Sequence, residues 1–77
     1  MLLNENIQSS VAQRWKILEY LQAGGELTSL TMLHKFGCID GRKRISELRR
    51  LGYPVKDRPG FNDGTRKHYK IYYIERT

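Results

Sequence analysis

The 77 residues include 14 Lys/Arg against 8 Asp/Glu, a net charge of +6, with 39% apolar residues: the composition of one small basic domain. A chain this short buries too little surface for a deep catalytic cleft, and its single cysteine excludes a disulfide framework and a cysteine-based zinc site. No apolar run is long enough to span a membrane, and residues 1–6 lack the basic start of a secretory signal, so a reducing cytoplasm is expected.

Residues 1–8 are polar and without period, and are expected to form a flexible tail ahead of a single domain over residues 9–77. Ser9 and Ser10 open a first helix, with Ser10 and Gln13 at capping-box spacing. Val11, Trp15, Leu18 and Leu21 form an apolar stripe flanked by Ile17, which makes Trp15 the expected core anchor. Gly24-Gly25 ends this helix. Thr28 or Ser29 then caps a second helix over residues 30–36, with Leu30, Leu33 and Phe36 inward, and Gly37 stops it. Asp40 caps a third helix over residues 41–51, closed by Gly52 and Pro54.

Beyond Pro54 the period changes from helical to alternating. Residues 53–58 read as a first strand and residues 68–74 as a second, with Tyr69, Ile71 and Tyr73 on one face. Residues 59–67 between them read as a turn-rich, basic loop. The fold class is therefore α+β: a three-helix winged helix-turn-helix with a C-terminal two-stranded β-hairpin as wing.

The charge is one-sided. Residues 1–41 carry three Lys/Arg and four Asp/Glu, whereas residues 42–77 carry eleven and four. On a helical wheel of the third helix, Gly41, Ile45 and Leu48 share the inward side, and Lys43, Ser46 and Arg50 lie opposite, with Arg42 on one flank. Arg44 sits beside the core stripe, where its stem packs and its head reaches Asp40 or Glu47. A basic face with short polar residues suits a helix in the major groove, and its first turn offers N–H groups to a phosphate. Arg66 and Lys67, at the exit of the loop, would meet the flanking backbone. The expected DNA-binding residues are thus Arg42, Lys43, Ser46, Arg50, Arg66 and Lys67, and the expected partner is double-stranded DNA.

No catalytic constellation is present, so no enzyme activity is expected. His34 and His68 fall in different elements with no second ligand nearby, Cys38 lacks a base partner and reads as a small buried filler, and no glycine run has phosphate-loop spacing. No cofactor and no metal are expected.

The residues Ile17-Leu18, Gly24-Gly25-x-Leu27-Thr28, Phe36-Gly37 and above all Arg44-Ile45-x-Glu47-Leu48-Arg49-x-Leu51-Gly52-Tyr53-Pro54-Val55 resemble the small phage- and prophage-encoded winged helix-turn-helix proteins. The resemblance implies a DNA-binding winged helix in a bacterial host cytoplasm. Two departures accompany it. Aligned on Gly37, the simple repressor motif would place Lys43 and Ser46 inward, so the connection between the second and third helices is expected to exceed four residues, and the wing looks short. A single module of this size makes few contacts, so a homodimer or a protein partner is expected to add specificity. The alternative is a winged-helix interaction module that binds and modulates a host or phage protein, with Tyr53, Tyr69, Tyr72 and Tyr73 at the interface.

Overall fold

A computed structural model of the chain describes residues 10–75. The elements run α1 (Ser10–Gln22), α2 (Ser29–Phe36), α3 (Gly41–Arg50), β1 (Val55–Asn62) and β2 (Lys67–Ile74). This is the expected order of three helices and a hairpin. The expected tail over residues 1–8 lies outside the described residues.

Local chemistry fixes the helix ends. Thr28 caps α2: its Oγ1 accepts the Thr31 N–H at 3.1 Å, and the Thr31 Oγ1 accepts the Thr28 N–H. Gly37 ends α2 with φ 64, a left-handed conformation that glycine adopts without a Cβ clash. The Asp40 side chain accepts the Lys43 N–H at the start of α3. The connection from α2 to α3 is four residues, 37–40, and not longer as the repressor alignment suggested. Gly41 lets the first turn of α3 sit directly on α2, since a Cβ there would lie 2.5 Å from the Met32 Cε.

The core joins all the elements: Ile17, Leu18 and Leu21 of α1, Leu27, Met32 of α2, Cys38, Ile45 and Leu48 of α3, Val55 of β1 and Tyr72 of β2. Two expectations about it fail, one on α1 and one on α2. Trp15 is 43% exposed and packs edge-on against Tyr53 at 6.3 Å, because α1 turns Ile17 and Leu21 inward instead. The same inward face carries Gln13, whose Nε2 donates to the Gly37 carbonyl at 3.3 Å, so a polar residue stands in the buried stripe. The Ser10 side chain, its expected capping partner, lies outside the described residues. Leu30 and Leu33 face outward, and Met32 fills the space below α2. Cys38 is buried as expected, and burial pushes its thiol pKa up.

The hairpin is longer than its sequence suggested. β1 and β2 pair antiparallel from Val55↔Ile74 to Asn62↔Lys67, so Pro59-Gly60-Phe61-Asn62 extend the strand and only residues 63–66 form the turn. Leu27 exchanges two hydrogen bonds with Tyr72, at 3.0 and 2.7 Å, along the other side of β2. Tyr72 therefore turns its backbone away from β1, and so, two residues apart, do Lys70 and His68. Their partners on β1 include Pro59, whose missing N–H consequently faces outward and costs the ladder nothing. The buried face of β2 is that of Tyr72, 4% exposed, and not that of Tyr69, Ile71 and Tyr73.

Candidate nucleic-acid interface

α3 uses its arginines in two ways. Arg44, 6% exposed, donates from Nη2 to Glu47 Oε2 at 3.0 Å, and Arg14 of α1 reaches Glu47 Oε1 at 3.3 Å. One carboxylate thus holds two guanidinium groups and ties α1 to α3, while the Nε atoms of Arg14 and Arg44 are buried without a hydrogen-bond partner among the described residues. Arg49 donates from Nε to the Val55 carbonyl at 2.9 Å and from Nη2 to Asp57 Oδ2 at 2.8 Å, which ties α3 to β1. The structural role expected of Arg44 is the one it has.

The hairpin repeats the pattern. Lys56 pairs with Glu75, and Arg58 with Glu26 at 2.7 Å. These contacts hold the carboxyl pKa values of Glu26, Asp57 and Glu75 below the usual range, in each case first through the hydrogen bond from the cation.

Among the described residues eight cations make no ion pair: Lys16 on α1, Lys35 on α2, and six on α3 and the hairpin, Arg42, Lys43, Arg50, Arg66, Lys67 and Lys70. Five of the six are residues that the sequence reading singled out. Lys43, Ser46 and Arg50 are exposed on the outer side of α3, spaced three and four residues apart and so in one stripe. Arg66 lies in the hairpin turn with φ 57, where Asn62 Oδ1 accepts the N–H groups of Gly64 and Thr65. The first turn of α3 is a poorer phosphate site than its free N–H groups suggested, because the Asp40 carboxylate already occupies it.

Arg42 and Lys67 come together in a cleft of about 730 Å³ between the start of α2, the start of α3 and the hairpin. The structure adds Lys70 to them, and His68 beside it; the α2 wall supplies the hydroxyls of Thr28, Ser29 and Thr31. Among the described residues no Asp or Glu lines the cleft. Lys70 lies near enough to Asp57 to favour its charged form, without forming an ion pair. Its membership of the cleft was hidden in the sequence, because it alternates with Tyr72 and the inward face of β2 was assigned to the other set.

Residues 12–75 match the winged helix-turn-helix domain family. The chain belongs to that family. No curated protein and no solved structure matches it. Membership accounts for the three helices and the paired hairpin, and makes DNA the expected class of partner for this winged helix-turn-helix domain. Among the described residues no helix is long and apolar enough to cross a membrane.

Proposed function

We propose that the protein binds duplex DNA, with α3 in the major groove and the wing on the flanking backbone. The observation that carries this reading is the partition of the cations. Glu26, Glu47, Asp57 and Glu75 neutralise the arginines and lysines that join elements, and leave eight cations of the described residues without ion pairs, six of which, Arg42, Lys43, Arg50, Arg66, Lys67 and Lys70, lie on α3 and the hairpin. Cations that the fold does not use, gathered on α3 and the wing, form the electrostatic footprint of a polyanion site.

In this reading Lys43, Ser46 and Arg50 meet base edges, where Arg and Lys donate to guanine O6 and N7 and Ser serves either role. Arg42, Arg66 and Lys67 contact phosphates and carry no base information. The protein acts by docking, as a transcriptional regulator or as an accessory factor in recombination or replication. A phage or prophage setting in a bacterial cytoplasm follows from the resemblance carried by the run from Arg44 to Val55. A homodimer or a protein partner would supply the specificity that one module lacks.

Selection of bound sequences from random duplex DNA, with the mass of the protein in solution measured alongside, tests the proposal. A recovered motif, whose affinity falls by about tenfold or more in Lys43→Ala/Arg50→Ala while the melting temperature holds, supports it. Unchanged affinity in that double variant removes α3 as the reading element.

A further inference from the structure

The sheet has two outer edges, and they differ. Along β1 the residues that turn their backbone outward are Asp57, Pro59 and Phe61, opposite Tyr72, Lys70 and His68. Pro59 offers no N–H, so that edge cannot continue a ladder through its middle. Along β2 the outward residues are Tyr72, Lys70 and His68. Leu27 closes Tyr72 with two hydrogen bonds, and among the described residues no strand or bridge pairs with Lys70 or His68 on that side. Their N–H and C=O groups open into the cleft between the hairpin and the start of α2, whose cations are Arg42, Lys67 and Lys70.

We propose that this edge is a peptide-docking site, which accepts an extended acidic segment of a partner protein as an added strand in line with Leu27. Two features select that occupant. A strand edge presents donors and acceptors in alternation. A phosphodiester backbone has only acceptors and would leave the Lys70 and His68 carbonyls unmatched, whereas an extended peptide satisfies both. The charge selects acidic side chains, since among the described residues the cleft is lined by three cations and no carboxylate. A second copy of this chain is disfavoured at the same edge, because Lys67 and Lys70 would face their own counterparts. The site stands independently of the DNA reading, but shares Arg42 and Lys67 with it, so a docked peptide would compete with duplex DNA.

The test uses the full chain, labelled with ¹⁵N, and a short acetylated peptide in which glutamate alternates with valine. Binding should move the amide signals of His68 and Lys70 and slow their hydrogen exchange. The same peptide N-methylated at alternate amides should bind weaker by about tenfold or more, because the charge stays and the ladder is lost. Lys70→Glu, at an exposed position, should abolish binding with the melting curve unchanged. Equal binding of the N-methylated peptide, changes confined to other residues, or no binding at millimolar peptide would each overturn the proposal. So would a duplex DNA that slows exchange at His68 and Lys70 when the peptide does not. The DNA reading fails separately, if duplex DNA leaves the amides of Lys43, Ser46 and Arg50 unmoved.

Discussion

Both sides of α3 carry cations, and the two sets have opposite tasks. On one side Arg44 and Arg49 are anchored to Glu47, Asp57 and the Val55 carbonyl, and they hold α1 and β1 against the helix. On the other side Lys43 and Arg50 are exposed and make no ion pair among the described residues. The difference is made by the acids. The placement of a few carboxylates determines which cations become part of the fold and which remain available to a ligand, and net charge alone does not reveal that division.

The sharpest way to break the comparison is to unfold the anchored side. Ile45→Ala and Leu48→Ala, at positions with 1% and 0% exposure, should each lower stability by about 2–5 kcal/mol, read as a shift in the urea midpoint. A smaller loss would mean that α3 is not seated in the core as described. Glu47→Gln comes next. It leaves the buried Arg44 without its counter-charge, and about 2–4 kcal/mol should be lost in the same measurement, reduced from the fully buried case because Arg14 and Glu47 reach water. Arg14→Gln in the Glu47→Gln background should then cost much less than Arg14→Gln alone, which a double-mutant cycle measures.

On the unpaired side the expected effects concern binding, not stability. Arg66→Ala/Lys67→Ala should reduce DNA affinity about equally for cognate and scrambled duplexes and lower the salt slope by roughly one to two units. A changed sequence preference would show that the wing reads a groove. The smallest effect is that of acid. The carboxyl pKa values of Asp57, Glu26 and Glu75 are depressed by their cation partners, so their contribution is present above the ordinary carboxylate range and is lost as pH falls through the folded values. Thermal melts should therefore show a modest fall in the melting temperature in the acid range, diminished by added salt because these pairs are exposed.

The helix boundaries were legible because they rest on local chemistry: Thr28, Gly37 and Asp40 act within a turn of their own positions. The inward faces were less so. In α1, Gln13 interrupts the true stripe, and its partner is the Gly37 carbonyl, distant in sequence; Trp15 offered a stripe with no polar break. In β2, alternation shows two faces without saying which is buried, and the choice of Tyr72 is made by packing and by its bridge to Leu27. Pro59-Gly60 reads as a turn, and it becomes strand because its partner Lys70 turns its backbone outward there. The exposed stripe of α3 was legible for a plainer reason: ten residues of helix with the core positions at Gly41, Ile45 and Leu48 leave Lys43, Ser46 and Arg50 nowhere else to point. Lys70, by contrast, joins the cleft only through the face that the sequence left undecided.

The salt dependence of binding to duplex DNA, compared between two sets of charge-removing variants, tests the division of the cations most directly. With Arg42, Arg66 and Lys67 on phosphates and Lys70 in the same cleft as Arg42 and Lys67, the wild-type log–log slope should lie near −3 to −4. Neutralising Arg42, Arg66 and Lys67 together with glutamine should lower its magnitude by about two to three units. Neutralising Lys56 and Arg58, which remove as much charge per residue but are paired with Glu75 and Glu26, should change it by well under one unit per residue. Equal loss of slope per charge in the two sets, or a wild-type affinity indifferent to salt, would contradict the account.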